Sequence, residues 1–375
     1  MTERELTAFF RDLHSHPELG LREFRTAEKL REALTGMGIE LPETGVPTGI
    51  VAVIRGAKPG RVIGLRCDID ALPIREESGL PYASLEDGVM HACGHDFHAA
   101  CMLGAAAILK EQQNELAGTV KIVFQPAEEI MKGGRLMMAT GLLDDVREFY
   151  GIHSYPHFPA GTLGIKPGPV MAAPDRFAVT LTGRGAHAAH PHKSVDPVPA
   201  LASLALGMQT AVSRCVDPFD NAVVTVAHVQ AGSAYNIIPE TAFLEGTVRT
   251  LNNGTREMIE SRLRALAGNT AAAYGCACDF EYERGPDAVI NDAELCAAAA
   301  SVARELGFRV ERQEDTMGGE DFSEYIRRCP GVFIRVGTGG GVPSHHPRFT
   351  VDPAALSPAA NYFAVLARKR AETKE

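Results

Sequence analysis

The sequence predicts an α/β fold: a mostly parallel sheet with helices on both faces, plus an inserted α+β domain of the split-βαβ kind. Three observations lead there. Up to about residue 174, short β-branched runs alternate with helical spacing, the order expected of a covered parallel sheet. Successive runs deliver polar residues at one sheet edge, Asp68 with Asp70, Glu128 with Glu129, and His153. In open α/β sheets that edge is where sites form. From about 175 the order changes to β-α-β-β-α-β. A chain of 375 residues is long for a single core, so a large domain plus a smaller one is expected.

Taken in order, residues 3–16 and 23–38 carry helical spacing. In the second, Phe24, Ala27, Leu30, Leu34 and Met37 form one stripe, and Gly38 ends it. Gly49–Ile54 and Arg61–Leu65 read as strands, the second followed by Arg66-Cys67-Asp68-Ile69-Asp70. A helix is expected from about His98 to Asn114, a strand over Thr119–Phe124, a short helix over Gly133–Thr140 and a strand over Glu148–Ile152, ending at His153. The insertion should hold strands at Phe177–Thr182, Ala222–Val229, Ala242–Thr250 and Cys276–Glu283, with helices at about Ser194–Arg214 and Thr255–Tyr274. Pro167-Gly168-Pro169 and Gly285-Pro286 supply its hinges. The chain then returns to helices at about 291–306 and 320–328, a strand at Val332–Val336 and a last helix from about Pro353. The predicted domains are therefore 1–174 with 287–375, and 175–286.

Composition is that of a soluble globular protein, 45% hydrophobic and 22% charged. A formal charge of −10 argues against nucleic acid or anionic membrane as the main partner. The basic run Arg368-Lys369-Arg370 is diluted by Glu372 and Glu375 and reads as a solvated helix face. No apolar segment follows the charged Met-Thr-Glu-Arg-Glu start, and no apolar run is long enough to span a membrane. Eight scattered cysteines do not suggest a disulfide framework, so a reducing cytoplasm is the expected setting.

The densest chemistry lies in Met90-His91-Ala92-Cys93-Gly94-His95-Asp96-Phe97-His98. Ligands at i and i+2 can face one ion if the backbone between them turns tightly, and Gly94 allows that turn. Further candidates are Glu128/Glu129, His153 and His345/His346, each at a strand end or in a Gly/Pro-rich loop. Thiolate, imidazole and carboxylate together suit Mn, Zn, Co or Ni better than Mg or Ca. Five ligands exceed the needs of one tetrahedral ion, so two divalent transition metals sharing a bridge are expected. Of the adjacent Glu128 and Glu129, one can coordinate while the other acts as general base on metal-bound water.

The segment His91-Ala92-Cys93-Gly94-His95-Asp96-Phe97-His98 resembles the metal motif of the hippurate hydrolase-like amidohydrolases, a branch holding N-acyl-amino-acid amidohydrolases, N-acetyldiaminopimelate deacetylases and auxin-conjugate hydrolases. The resemblance runs from end to end. It includes His14-Ser15-His16-Pro17-Glu18 with Glu23, Asp68-Ile69-Asp70-Ala71-Leu72-Pro73, Gln125-Pro126-Ala127-Glu128-Glu129, Gly151-Ile152-His153, and Gly183-Arg184-Gly185-Ala186-His187. Asn236-Ile237-Ile238-Pro239, Gly246-Thr247-Val248-Arg249-Thr250, Gly318-Gly319-Glu320-Asp321-Phe322 and His345-His346-Pro347 complete it.

The resemblance implies a dinuclear metallopeptidase-like domain with an inserted lid that makes a homodimer, with a higher homo-oligomer also open. It implies Cys93 as the bridge, His95 and His153 completing one ion, Glu129 and His345 the other, and Glu128 as general base. His345 is taken as the ligand over the adjoining His346. Asp70 would orient a ligand imidazole. His187 would reach the partner subunit's site to stabilise an oxyanion, and Asn236 and Arg249 would recognise a substrate carboxylate. For Arg249 a salt bridge on the strand face is the competing reading. Cys67 is read as a small buried filler, and His91 and His98 as supporting residues. The implied activity is metal-dependent hydrolysis of the amide bond of small N-acyl-L-amino acids, such as hippurate or N-acetyl amino acids. The alternatives are a dipeptidase or carboxypeptidase with the same site, and a catalytically retired conjugate-binding protein.

Overall fold

The computed structural model describes residues 1–373, so Glu375 lies outside the described residues. In chain order come α1 (Glu3–Ser15), α2 (Phe24–Gly36), β1 (Ile50–Arg55), β2 (Lys58–Asp68), α3 (His95–Glu111), β3 (Ala117–Gln125), α4 (Gly133–Met138), β4 (Glu148–Tyr155), β5 (Thr162–Gly164) and β6 (Gly168–Met171). The middle of the chain holds β7 (Ala173–Thr182), β8 (Ala186–His187), α5 (Pro197–Met208), α6 (Thr210–Ser213), β9 (Ala222–Ala231), β10 (Ile237–Ile238), β11 (Thr241–Thr250), α7 (Asn253–Ala273) and β12 (Ala277–Arg284). The remainder holds β13 (Val289–Asn291), α8 (Ala293–Glu305), β14 (Arg309–Glu311), α9 (Ser323–Ile326), β15 (Gly331–Gly337) and α10 (Leu356–Ala371). The chain forms two compact units, one of Met1–Val170, Ile290–Glu314 and the chain from Asp321 on, the other of Met171–Val289 with Asp315–Glu320. Among the described residues no helix is long and apolar enough to cross a membrane.

The first unit is built on a seven-stranded sheet of order β1-β3-β2-β4-β15-β5-β14. Pairs β3/β2, β2/β4, β4/β15 and β5/β14 are parallel, whereas β1/β3 and β15/β5 are antiparallel. Every residue of β15 is buried, as is the end of β2, which requires cover on both faces. Helices α3 and α10 pack on β2 and on each other, while α4 meets β3 and α9 meets β4. Helix α3 is buried on nearly all sides, and a Cβ at Gly104 would lie 2.9 Å from Ala360 Cβ, so only glycine admits this approach of α10. The core runs from Leu6 and Phe10 of α1 through Ile63, Leu65 and Leu103 to Ile334 and Phe363.

The second unit is an antiparallel sheet of order β12-β7-β11-β9 with α5 and α7 packed on it, and a separate short pair β8/β10. Its own core includes Phe177, Leu181, Leu204, Leu244, Ile259 and Leu263. Arg256 of α7 is buried and binds Asp175 through Nε at 2.9 Å and Asp287 through its guanidinium at 2.7 Å, tying the start of β7 to the segment after β12.

Several expectations change in detail. Strand β4 does not end at His153 but continues to Tyr155, because β15 pairs with it in register as far as Gly337↔Tyr155. Strand β2 reaches Asp68, so Asp68 closes the strand rather than following it. The single helix expected over 194–214 breaks at Gln209, where the Thr210 hydroxyl donates to the Gly207 carbonyl at 2.6 Å and competes with the helical ladder. Segment 315–320 lies with the second unit rather than the first. The Arg368-Lys369-Arg370 run is not simply solvated. Arg370 binds buried Glu148 with two 2.8 Å bonds, and that carboxylate also accepts from Arg61 and the Tyr150 hydroxyl. A buried carboxylate needs such counter-charge.

Candidate metal centre

Two carboxylates, a thiol and three imidazoles converge from the end of β3, the C-terminal half of β4, the start of α3 and the loop after β15. Gly94 opens α3 with φ +85, and a Cβ there would lie 2.6 Å from Ser154 Oγ. The Ser154 hydroxyl donates to the Cys93 carbonyl at 2.8 Å, which docks the turn onto β4. This turn puts Cys93 Sγ 3.5 Å from His153 Nε2. His153 donates from Nδ1 to the Ser154 carbonyl at 2.7 Å, and a carbonyl can only accept, so the Nε2 lone pair faces the thiol. Burial and the neighbouring His98 ring hold His153 well below the usual histidine range, which keeps it neutral.

Asp70 joins the two halves of the cluster. Its Oδ1 takes His95 Nδ1–H at 3.2 Å and its Oδ2 takes the Glu129 backbone N–H at 2.9 Å. His95 Nε2 is thereby turned toward Glu129 Oε1 at 3.7 Å and Glu128 Oε2 at 4.0 Å. On its other side Glu129 Oε2 lies 3.4 Å from His345 Nε2. His345 has φ +64 and its backbone N–H donates to the Ala92 carbonyl at 2.8 Å, fixing the loop beside Cys93. His346 Nδ1 instead accepts from the Arg348 N–H at 3.1 Å, within its own loop.

Ligand atoms of Cys93, His95 and His153 lie within 4.8 Å of one another, as do those of Cys93, Glu129 and His345, and those of His95, Glu128 and Glu129. Cys93 belongs to two of these sets. His95 Nε2 and Glu129 Oε1 are buried without a hydrogen-bond partner and lie 3.7 Å apart, an arrangement that suits a shared cation. The field agrees: Cys93 and Glu129 hold the His345 imidazole up to about 10, and although burial opposes it, Asp68 and Asp70 keep His95 well above its usual range. Donors, spacing and potential all fit divalent transition metals.

His98, by contrast, has both nitrogens engaged. Nδ1 donates to Asp68 Oδ1, and Nε2 accepts the Ser154 N–H at 2.6 Å. His91 is fully buried and pushed down to about 4 by that burial. Cys67 is buried with its thiol pushed up by burial, its Sγ 3.6 Å from the Val123 carbonyl.

The remaining three candidates lie in the second unit. His187 closes β8, pairs in register with Ile237 and accepts the Ala189 N–H on Nδ1 at 3.1 Å. Asn236, just before β10, accepts the Ala188 N–H on its backbone carbonyl at 3.1 Å, so the β8/β10 pair brings His187 and Asn236 together. Arg249 of β11 is half-buried, and its Nε donates to Thr247 Oγ1 at 3.1 Å. Among the described residues no carboxylate lies within ion-pair distance of it, so the strand-face salt bridge is not formed, and burial lowers its pKa.

A model of the peptidase family M20/M25/M40 matches residues 64–369. The chain belongs to this family. It is 44% identical over 358 residues to the N-acetylcysteine deacetylase of Bacillus subtilis (strain 168), covering 95% of this chain and 94% of that one. It is 33% identical over 368 residues to thermostable carboxypeptidase 1 of Saccharolobus solfataricus, covering 96% and 93%. The solved structure of the Bacillus subtilis YXEP protein, a dinuclear metal-binding peptidase from the M20 family, matches with TM-score 0.91 at 41% identity, covering 99% of both chains. This M20 chain is a metal-dependent amidohydrolase.

Beneath the centre of the M20 chain lies a network the sequence reading did not assign. Arg66 is fully buried and binds Asp68 at 2.8 Å, Gln125 at 2.9 Å and Asp321 at 2.8 Å, while Tyr325 OH donates to Gln125 at 2.9 Å. Asp68 passes this anchorage to His98 and, through Ser154, to the strand carrying His153. A visible signal was available: Arg66 and Asp68 alternate with Leu65 and Cys67 at the buried end of β2, so both charges face one side of a buried sheet and need partners there.

Proposed function

We propose that this M20 amidohydrolase cleaves the amide bond of small N-acyl-L-amino acids, N-acetyl amino acids and hippurate among them. The observation that carries the reading is that Cys93 is shared by two donor sets while Glu128, 5% exposed, stands beside them. In this reading Cys93, His95 and His153 would hold one divalent ion, and Cys93, Glu129 and His345 the other, with Mn, Zn, Co and Ni all compatible with the donors. Such a pair supplies Lewis-acid polarisation and makes water a nucleophile near neutral pH. Glu128 takes a proton from the attacking water as its oxygen bonds to the acyl carbon. It returns that proton to the leaving nitrogen as the C–N bond breaks, releasing a carboxylic acid and the free amino acid. Asp70 keeps His95 and Glu129 oriented.

In the second unit, His187 is assigned the oxyanion and Asn236 with Arg249 the substrate carboxylate. A half-buried guanidinium without a carboxylate partner suits that task. The unit is taken to form a homodimer, with His187 serving the partner's site. Eight free cysteines suit a reducing cytoplasm.

The test is Glu128→Gln assayed on N-acetyl-L-cysteine, N-acetyl-L-methionine and hippurate. Turnover is expected to fall by about 10²–10⁴-fold with metal content retained. Near wild-type turnover at full metal content would refute the assignment. A second reading, peptide hydrolysis by the same residues, is favoured by the likeness to a carboxypeptidase. Dipeptides cleaved faster than all three acyl amino acids would move it ahead.

A further inference from the structure

We infer that Glu23 is a positioning residue for the general base: it fixes the Pro126–Ala127 peptide and with it the left-handed turn at Ala127 that leads into Glu128, and so aims the Glu128 carboxylate. The inference rests on Glu128 acting as the base.

Glu23 stands at the residue that opens α2, where a side chain ordinarily accepts amides of the first helical turn. Here another residue does that work. The two carboxylate oxygens of Glu18 accept the N–H groups of Arg25 at 3.1 Å and Thr26 at 2.8 Å. Glu23 makes no capping bond and is fully buried. Its Oε1 accepts two amides, that of Leu21 two residues before it at 2.9 Å and that of Ala127 far along the chain at 2.9 Å.

Both of those residues are in the left-handed region, Leu21 at φ 64 and Ala127 at φ 56. Residues with a Cβ seldom adopt this conformation and hold it only where the surroundings fix it. A single buried carboxylate oxygen engaging both amides supplies that restraint. Ala127 is also held from its carbonyl side, which accepts the N–H groups of Lys132 and Gly133 at 3.2 Å each.

The consequence falls on Glu128. Glu23 pins the Pro126–Ala127 peptide through the Ala127 N–H, the Ala127 carbonyl holds the next peptide through Lys132 and Gly133, and Asp70 pins the Glu128–Glu129 peptide through the Glu129 N–H, the two carboxylate contacts being 2.9 Å each. With the peptides on either side fixed, the direction of the Glu128 Cα–Cβ bond is fixed too. The two carboxylates differ in what else they touch. Asp70 also holds His95, so losing it disturbs a proposed ligand directly. Glu23 bonds to backbone amides at Leu21 and Ala127, so its loss should disturb the base and leave the ligands in place.

The test uses the full chain loaded with Co(II), whose visible absorption reports the ligand set, and N-acetyl-L-methionine as substrate. Glu23→Ala should lower kcat by about 10²-fold, the scale of an ångström misplacement of a catalytic group. KM, Co(II) affinity and the absorption spectrum should stay as in the parent. Glu23→Gln, which keeps an acceptor oxygen, should retain most of kcat. Adding Ala127→Gly to Glu23→Ala should recover part of it, because glycine takes a positive φ without the Cβ cost. An unchanged kcat in Glu23→Ala overturns the inference. So does a kcat that falls in step with Co(II) affinity, or a double variant with no recovery. Should Glu23→Ala not fold, Glu23→Asp, whose shorter arm withdraws the acceptor, takes its place with the same expected and overturning results. Glu128→Gln measured alongside separates the two assignments: if it stays active the base is misassigned, and if it is inactive while Glu23→Ala is normal only the present inference fails.

Discussion

Replacing Asp70 by asparagine tests how the cluster is held together. The carboxylate is buried and accepts on both oxygens, from His95 Nδ1 at 3.2 Å and from the Glu129 amide at 2.9 Å. Asparagine fills the same space but offers one acceptor and one donor group. One of the two buried N–H groups must then face another donor. An orphaned buried hydrogen-bonding group costs about 1–3 kcal/mol. Loss of a carboxylate that orients a metal-binding histidine typically costs about 10–100-fold in affinity, which is about 1.4–2.7 kcal/mol at ~1.36 kcal/mol per tenfold. The two estimates agree because they describe the same loss. Chelator competition on the folded variant should therefore show metal affinity down by about 10–100-fold, with kcat also reduced at saturating metal. Unchanged affinity in a folded Asp70→Asn protein would show that Asp70 does not orient His95 or Glu129, and the two-sided clamp would have to be abandoned.

A pH prediction follows from His14, buried between Asp96 at 2.6 Å and Glu76 at 3.2 Å. Burial alone would lower its pKa, but the two carboxylates outweigh it and raise the value to about 10. Because the folded value lies above the unfolded value of about 6.5, charged His14 contributes stability that is complete below about pH 6.5 and lost as pH rises through about 10. The difference sets a ceiling on the order of 5 kcal/mol. Urea unfolding of the metal-free chain should show a stability gap between wild type and His14→Gln that narrows across that window, and a gap of constant size would refute the pairing. For the proposed dimer, His187→Ala and Glu128→Gln proteins, each inactive, should regain activity when mixed and allowed to exchange subunits. Proven exchange without recovery would remove His187 from the partner's site.

Fold class was legible because periodicity and punctuation report local physics. The β-branched runs, the small-residue helix after His98 and the β-α-β-β-α-β order of the insertion all rest on contacts near in sequence. The departures arose where a distant partner decides. His153 and Ser154 interrupt an apolar run and look like a strand end, yet β15 pairs beyond them to Tyr155. Arg370 looks like one charge of a solvated basic run, yet Glu148 is buried within its reach. Neither partner can be located from spacing along the chain.

The same distinction explains what the histidine cluster could and could not disclose. In sequence, His91, His95 and His98 are equivalent donors, and any of them could hold an ion. Placement sets His91 apart, since both its ring nitrogens are buried without a partner yet it lies in none of the donor sets, and hydrogen-bond accounting separates the other two. His98 spends one nitrogen on Asp68 and accepts a backbone N–H on the other, so it has no lone pair left to offer. His95 spends only Nδ1, on Asp70, and His153 only Nδ1, on the Ser154 carbonyl. Their Nε2 atoms stay available and face Glu129 and Cys93. The adjacent glutamates divide in a similar way. Glu129 lies 3.4 Å from His345 and 3.7 Å from His95, within reach of both sides of the donor cluster, while Glu128 stands farther from His95, at 4.0 Å. In the proposed reading the carboxylate between imidazoles, Glu129, is the ligand, and its neighbour Glu128, set between peptides that Glu23, Ala127 and Asp70 hold, is the one that moves a proton.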